Sequence, residues 1–340
     1  MITGGIIRKQ MAEGEVRYIL TNAAGNRLEV SNFGARITGL YVRDVGGTER
    51  NLVLGFDSMK EYIEKDVYLG ATIGRVAGRI GGAKLELNGQ TFMTQQNERG
   101  NTLHGGTPGL EAVLWQSEID EAGMAVIFRH TLEDGLHGFP GRLTVTAVYR
   151  WTDENVWEME YRGQAEKMTV FNPTNHVYFN LSGEPGRSVA EQELFLPADS
   201  VYAVNEELIS DGSLQAVADT RYDFTRPEGR KLASCLEQGG MDTPFCLRRD
   251  AAARQIRLYC ERTGLCLAVE TDQAAVVVYT FNHPSRPLPC TGGAMIRQAG
   301  ITFETQEFPN IVNGRPNEAI VLRPGEEKIT RTRFRITVRK

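Results

Sequence analysis

Alternation of apolar and polar side chains with a period of two is the feature that most constrains the fold of this chain. In one segment, Leu143, Val145, Ala147 and Tyr149 fall on one face and Thr144, Thr146 and Arg150 on the other. Residues 157–162 repeat the pattern, and residues 331–339 alternate apolar residues with polar ones that are mostly arginine. Successive side chains of a strand point to opposite faces, so these segments predict half-buried strands. The last one is therefore interpreted as a strand with a solvated basic face, not as a nucleic-acid patch.

Turn-forming residues favour the same class of fold. Glycine makes up 36 of the 340 residues, or roughly 11%, whereas the average glycine content of proteins is about 7%. Asn88 and Gly89 stand between two apolar-alternating segments, which is a strong hairpin signal. Helices are predicted at only two places, one beginning at Asp57 or Ser58 and one over residues 205–209. With no repeat and no linker, we predict an all-β protein of packed antiparallel sheets with few short helices, forming a single domain over residues 1–340.

Composition excludes several classes of function. The chain is 41% hydrophobic with a net charge of −5, so disorder is not expected and neither nucleic acid nor a membrane surface is a predicted partner. No apolar run is long enough to span a membrane, and residues 1–15 lack the apolar core of a signal peptide. The five cysteines show no CxxC pair. We expect reduced thiols in a cytoplasmic protein.

The common cofactor motifs are absent. The sequence contains no P-loop, no HExxH and no GxSxG, and its five histidines do not have ligand spacing. Neither a metal nor a cofactor is predicted.

Four segments combine turn residues with polar side chains that a strand does not otherwise need: 101–106, 172–180, 239–242 and 301–306. In the second, His176 directly precedes an apolar, aromatic stretch and is expected to point inward. In the fourth, Glu304 alternates with Ile301 and Phe303, so it faces either water or a polar cavity. The residues by themselves indicate a large all-β protein with a candidate His and Glu site.

The same segments resemble a known family, the aldose 1-epimerases or galactose mutarotases. The resemblance follows five motifs in order along the chain: GRVAGRI at 74–80, NTLHGG at 101–106, DGLHGFPGRL at 134–143, NPTNHVYFNL at 172–181, and FETQ at 303–306 followed by Pro309-Asn310 and LRPGE at 322–326. Each motif alone is modestly specific, but five in order make a chance similarity very unlikely.

The resemblance implies a large antiparallel β-sandwich with an open cleft for a monosaccharide substrate. It implies that Glu304 is the general base and His176 the general acid. The residues that it places around the sugar are Asn101, Arg79, His104 and Asp242, with Arg75 as either a sugar ligand or a structural ion-pair partner. It calls for no metal and no cofactor.

Mutarotation needs such residue types, because a cyclic hemiacetal must open and close again. A base removes the proton of the anomeric hydroxyl while an acid protonates the ring oxygen, and each positioned group supplies about 10² to 10⁴-fold. A glutamate with a pKa near 4.3 is ionised at neutral pH. An imidazole with a pKa near 6.5 must be partly protonated, and we expect a neighbouring carboxylate to raise the pKa of His176.

Two segments of the chain depart from the family pattern. Asp242 is followed by Thr243 and Pro244 where family members read G-x-DH-x-F, and we expect the proline to reshape a loop there. Residues 276–278 are all valine, in a strand where family members carry a glutamine. The preferred aldose is therefore left open.

Two other classes of function stay open at this stage. One is a sugar-binding protein without turnover, against which the presence of both proton-transfer residues argues. The other is a different sugar chemistry on the same fold, such as epimerising a phosphorylated hexose or hydrolysing a glycoside. The oligomeric state is either a monomer or a homodimer.

Overall fold

The computed structural model describes residues 4–65, 67–250, 255–282, 284, 286–313 and 318–339. Strands dominate these ranges, and two short helices, α1 Met59–Lys65 and α2 Ala233–Leu236, accompany them. The first strands in chain order are β1 Gly5–Gln10, β2 Val16–Thr21, β3 Arg27–Ser31, β4 Arg36–Arg43, β5 Glu49–Asn51, β6 Thr72–Ile73, β7 Arg79–Ile80, β8 Lys84–Leu87, β9 Gln90–Met93, β10 Thr102–Leu103, β11 Gln116–Asp120, β12 Ala125–Leu132, β13 Leu143–Trp151, β14 Val156–Ala165, β15 Thr169–Val170 and β16 Thr174–Asn175.

The remaining strands are β17 Tyr178–Phe179, β18 Glu193–Phe195, β19 Ser200–Val204, β20 Ser210–Ala216, β21 Arg230–Lys231, β22 Asp242–Cys246, β23 Ile256–Cys260, β24 Leu265–Thr271, β25 Ala275–Tyr279, β26 Leu288–Cys290, β27 Gly293–Met295, β28 Ile301–Thr302, β29 Glu304–Gln306, β30 Val321–Leu322 and β31 Glu327–Val338. The prediction of an all-β fold with few short helices is confirmed.

Three larger sheets organise the molecule. A nine-stranded sheet has the order β11-β12-β13-β14-β31-β24-β23-β18-β21, and its neighbours pair antiparallel throughout. A five-stranded sheet has the order β1-β2-β3-β4-β5, and another, which we call the site sheet, has the order β20-β19-β22-β25-β29. Side chains of all three sheets meet in one core, for example Leu20, Tyr149 and Phe245. Burial of this apolar surface is the main term that holds the sheets together.

The alternating segments behave as their pattern predicts. Leu143, Val145, Ala147 and Tyr149 are fully buried, whereas Arg150 on the other face is exposed. The basic face of β31 is also solvated: Arg331 pairs with Glu160 and Arg333 with Glu158 on the neighbouring strand. The Asn88-Gly89 hairpin between β8 and β9 is confirmed as well, with both residues at positive φ (50° and 74°).

One of the two predicted helices is correct. α1 begins next to Ser58, whose hydroxyl accepts a hydrogen bond from the backbone N–H of Glu61. The helix predicted over 205–209 is wrong, because those residues form the turn between β19 and β20. Within the described ranges, no helix is both long and apolar enough to cross a membrane.

Candidate active site

A cleft of about 910 Å³ opens beside strands β22, β25 and β29 of the site sheet. This volume lies toward the upper end of the usual range for small-molecule pockets, about 300–1,000 Å³. Five of the residues selected from the sequence line it: Arg79, His104, His176, Asp242 and Glu304. Antiparallel pairing of distant strands brings these five positions together.

His176 lies in the short connection between β16 and β17 and is held by its backbone. Its N–H donates to Ala71 O (2.9 Å), and its carbonyl accepts from Gly70 N (3.1 Å). Gly70 has φ +68°, and a Cβ there would lie 2.0 Å from Ile37 O, so only glycine fits. Asn172, at the start of the same motif, exchanges two hydrogen bonds with the backbone of Glu307 (2.9 and 3.2 Å). The NPTNH segment is thereby fastened to the end of β29.

Glu304 is the first residue of β29 and stands opposite Val277 of β25. Its carboxyl oxygen Oε1 accepts a hydrogen bond from the Thr302 hydroxyl (3.2 Å). The same oxygen lies 3.4 Å from Nε2 of His176. Of the two orientations that the sequence left open for Glu304, the structure has the side chain in the cleft and not in open water.

The two groups have strongly perturbed acidities. Burial lowers the pKa of His176 to about 3, because an imidazolium there would lose its hydration. Burial, reinforced by the Asp242 carboxylate, raises the pKa of Glu304 to about 8. The expectation that the carboxylate raises the pKa of His176 is therefore wrong. Desolvation is the largest cause of the lowered pKa of His176, and the positive charge of Arg36 lowers it further.

His104 follows β10 and has φ +55°. The ring nitrogen Nδ1 of His104 accepts a hydrogen bond from Gly78 N (3.2 Å), and the backbone N–H of His104 donates to Gly78 O (2.9 Å). Because Nδ1 accepts, the ring proton must be on Nε2, which makes His104 a hydrogen-bond donor. Burial, together with His176 and Arg79, holds the pKa of His104 well below its usual range, so the ring stays neutral.

The only cluster of potential metal ligands found among the described residues is His104, His176 and Glu304, whose ligand atoms lie within 4.8 Å of one another. The tautomer of His104 makes this set unsuitable for a metal, because Nδ1 is occupied and Nε2 carries a proton. Two donors remain, one fewer than the three protein ligands typical of a catalytic zinc site.

Arg79 is the cationic centre of the cleft. Its guanidinium donates to both carboxylate oxygens of Glu98 (2.9 and 3.0 Å), and its Nη1 lies 3.8 Å from Asp242 Oδ2. A bidentate pair of this kind fixes the plane of the guanidinium. The Arg79 guanidinium, a hydrogen-bond donor, and the Asp242 carboxylate, a hydrogen-bond acceptor, thus lie side by side in the cleft.

Two of the sequence-selected residues lie outside the lining. Asn101 is buried just behind it, and its amide donates to Glu207 Oε2 (3.1 Å). Arg75 is buried away from the cleft, where its Nη1 donates to Pro140 O, Gly141 O and the Thr169 hydroxyl (2.8, 3.0 and 2.8 Å). Arg75 therefore has a structural position, although its partners are backbone and hydroxyl oxygens and not a carboxylate.

Sequence reasoning missed the aromatic walls of the cleft. The Tyr68 ring meets the His104 ring edge-on with centroids 4.7 Å apart, and Tyr178 and Tyr279 surround His176. Tyr68 adopts φ +64° in a turn before β6. No period-two signal marks such a position, so the sequence contained no clear pointer to it. The aromatic rings contribute to the desolvation that shifts both pKa values.

Thr243, Pro244 and Val277, which depart from the family pattern, all line the cleft. They lie in strands and not in a reshaped loop. Thr243 and Pro244 belong to β22, where Pro244 stands opposite Val277 of β25. The prediction of a loop is wrong. The neighbouring β19 reaches only Phe245 and Cys246, so a residue without an N–H is tolerated where one side of the strand is unpaired. Pro244 and Val277 together form an apolar wall.

Comparison with known proteins adds a consistent set of similarities. The family model described as Aldose 1-epimerase matches residues 16–335. A galactose mutarotase of Sus scrofa is 35% identical over 306 residues, which cover 88% of each chain. An aldose 1-epimerase of Haemophilus influenzae is 34% identical over 300 residues, covering 86% of this chain and 87% of the relative. A solved galactose 1-epimerase from Lactobacillus acidophilus superimposes with a TM-score of 0.85 at 26% identity and covers both chains completely.

Proposed function

The chain belongs to the aldose 1-epimerase family, and on that premise we propose that Glu304 and His176 interconvert the α and β anomers of a free aldose. Enzymes with this activity are isomerases. Relatives named galactose mutarotase support galactose as the substrate, and a relative named aldose 1-epimerase supports the wider class of aldoses, in which we include glucose.

The contact between Nε2 of His176 and Oε1 of Glu304, 3.4 Å, carries the proposal. The anomeric hydroxyl and the ring oxygen of an aldose share one carbon, so the base and the acid that act on them must be neighbours. These two side chains lie together at the inner end of a cleft of sugar size. A protein that only binds a sugar has no need of such a pair.

The reaction follows from the roles of the two groups. The carboxylate of Glu304 takes the proton of the anomeric hydroxyl as His176 donates a proton to the ring oxygen, and the C1–O5 bond breaks to give the aldehyde. Rotation about C1–C2 exposes the other face of the carbonyl. The same proton transfers in reverse then close the ring as the opposite anomer. Two groups therefore serve both directions.

The surroundings favour a neutral sugar over a phosphorylated one. Five carboxylates line the cleft, those of Glu98, Glu206, Glu207, Asp242 and Glu304, against three arginines. Arg79 is already paired with Glu98, and Arg221 donates to Gln238 O. Of the three arginines, only Arg99 has no hydrogen bond or ion pair among the described residues, and a phosphate site needs a cluster of unengaged cationic side chains. Sugar hydroxyls are instead well matched to carboxylates and to donors such as Nε2–H of His104.

The compartment and the assembly are part of the proposal. We place the protein in the cytoplasm, which the five unpaired cysteine thiols support. We propose a monomer or a homodimer. All of the proposed catalytic groups of the cleft come from one chain, so the site needs no partner subunit to be complete.

Polarimetry tests the reaction directly. Freshly dissolved α-D-galactose and α-D-glucose are followed with the wild-type protein, with Glu304→Gln and with Glu228→Gln, an exposed carboxylate outside the cleft. We expect rapid relaxation with wild type and Glu228→Gln, and a loss of about 10² to 10⁴-fold in kcat with Glu304→Gln.

Two results would contradict the proposal. Sugar binding without acceleration by the wild type would identify a binding protein. Full activity of Glu304→Gln together with an inactive Asp242→Asn would show that the base is wrongly assigned. The ratio of rates between galactose and glucose then measures the aldose preference of the cleft, which Pro244 and Val277 help to line.

A further inference from the structure

The hairpin of β19 and β20 at the edge of the site sheet carries its tip into the cleft lining. Residues 205–209 connect the two strands, and Glu207 is one of the tip residues that line the cleft. None of the family motifs quoted above includes this segment. The tip therefore places two carboxylates, those of Glu206 and Glu207, in the lining of the cleft.

The tip is an ordered turn. The side-chain oxygen of Asn205 accepts hydrogen bonds from Glu207 N (3.0 Å) and Ile209 N (2.9 Å), and Asn205 N donates to Ile209 O (3.0 Å). Leu208 takes φ +61° to complete it. This Asx-type turn explains why no helix forms, and it fixes the backbone from which the Glu207 side chain projects.

Hydrogen bonds through Asn310 link the base of the hairpin to the segment that follows Arg79. Asn310 donates from its amide to Ser210 O (2.8 Å) and accepts from Gly81 N (3.0 Å). The Tyr202 ring stacks on Phe308 with centroids 4.5 Å apart. The tip is therefore held at a defined distance from the sugar-binding side of the cleft.

One of the two oxygens of the Glu207 carboxylate accepts a hydrogen bond from another side chain. The side-chain amide nitrogen of Asn101 donates to Oε2 (3.1 Å), and the side-chain oxygen Oδ1 of Asn101 accepts a hydrogen bond from Gly82 N (2.8 Å). Among the described residues, no hydrogen bond to Oε1 of Glu207 is found. Asn101 is only 3% exposed, so its amide has little room to meet a ligand itself. The structure gives it the position of a support for the glutamate.

We propose that Glu207 is a specificity-determining residue whose carboxylate accepts hydrogen bonds from sugar hydroxyls other than the anomeric one, and that Asn101 is the positioning residue that holds it. The proposal rests on the function proposed above, because Glu304 and His176 occupy the anomeric end. Hydrogen bonds from neutral hydroxyls to a carboxylate are stronger than those between neutral groups. A preoriented carboxylate therefore discriminates between sugars that differ at one hydroxyl.

The test compares binding with turnover in the same preparations. Calorimetry gives Kd and polarimetry gives kcat and KM for galactose and its singly deoxygenated analogues, with wild type, Glu207→Gln and Asn101→Ala. Asp211→Asn is the control, because it removes a carboxylate of the same hairpin that does not line the cleft. We expect Glu207→Gln to raise KM and Kd for galactose about tenfold with kcat unchanged, since a hydrogen bond to a charged group has that order of effect.

One deoxygenated analogue should bind wild type and Glu207→Gln equally, because it lacks the hydroxyl that Glu207 holds. Asn101→Ala should raise Kd less. Added to a further variant, Glu207→Ala, it should raise Kd no further than Glu207→Ala does alone. Equal effects of Glu207→Gln and Asp211→Asn, or the same rise in Kd for every analogue, would overturn the proposal. Binding without turnover by wild type would overturn the proposed function and still measure Glu207 through Kd. No binding of any sugar would overturn both.

Discussion

Nε2 of His176 lies 3.4 Å from Oε1 of Glu304, and both side chains are almost completely shielded from solvent. With the pKa of His176 lowered to about 3 and that of Glu304 raised to about 8, the pair holds one dissociable proton between these limits. That proton can be on the carboxyl or on the imidazole without changing the total charge. The form with a bare carboxylate and a protonated imidazole is the one that reacts.

The rate should therefore follow the protonation of the pair. We expect kcat to be constant from about pH 5 to 7 and to fall above about pH 8, where the shared proton is lost. An isolated glutamate base would instead give an acid limb near its ordinary pKa of about 4.3. Polarimetry from about pH 3.5 to 10, corrected for buffer-catalysed mutarotation, measures this profile. A rate that rises steadily to pH 10 would contradict the shared proton.

Glu304 should also make folding stability depend on pH. Its pKa is raised from 4.5 to about 8 in the folded protein, so between these values the unfolded chain has released a proton that the folded one retains. The stability that this residue contributes is complete below pH 4.5 and is lost as the pH rises toward 8. Glu304→Gln cannot titrate, so its melting temperature relative to wild type should increase from pH 5 to pH 8.

Thermal unfolding of wild type, Glu304→Gln and the exposed control Glu228→Gln in matched buffers without sugar gives this difference. The control should show no comparable trend. A Glu304→Gln difference that is the same at every pH would show that the carboxyl is not perturbed by burial.

The proposed catalytic pair could be located from the sequence because its residues stand in motifs with distinctive letters, His176 in NPTNH and Glu304 in FETQ. The strand that carries Glu304 was recognisable from alternation, whereas His176 lies between two strands of only two residues each, which alternation does not mark. The acidities could not be predicted, since desolvation depends on which side chains cover the pair, and Tyr68 and Tyr279 reach it from unrelated segments. A pKa near 4.3 was the natural expectation for a glutamate whose neighbours were unknown.

The tip of the β19–β20 hairpin shows a second limit. Residues 205–209 contain helix-forming glutamates and a leucine after an asparagine, which is a typical helix start. The same asparagine side chain also closes a turn on two backbone N–H groups, and here the turn is what the flanking strands require. Local sequence allowed both outcomes, and strand pairing decided between them.

Arg75 offers a test of structural against binding roles. Arg75→Met keeps most of the side-chain volume but leaves Pro140 O, Gly141 O and the Thr169 hydroxyl without their donor. Hydrogen bonds to a buried charged group contribute about 1.5–3 kcal/mol each, so we expect a loss of about 3 kcal/mol or more in unfolding free energy. KM of the folded protein should stay within about twofold of wild type.

Denaturant unfolding and polarimetry on the same sample measure both quantities. Arg129→Met, at an exposed ion pair with Glu118, is the matched control and should cost less than about 1 kcal/mol. A raised KM with unchanged stability would instead make Arg75 a sugar ligand.

The tautomer of His104 leads to a prediction about metals. Because Nδ1 accepts from Gly78 N, the ring proton is on Nε2, and a divalent cation bound at this nitrogen would have to displace it. We expect EDTA to leave kcat unchanged and micromolar Zn²⁺ to inhibit no more than it inhibits His104→Gln, which lacks the imidazole. Removal of activity by the chelator, restored by one metal, would show that His104 adopts the other tautomer and that the three side chains form a metal site.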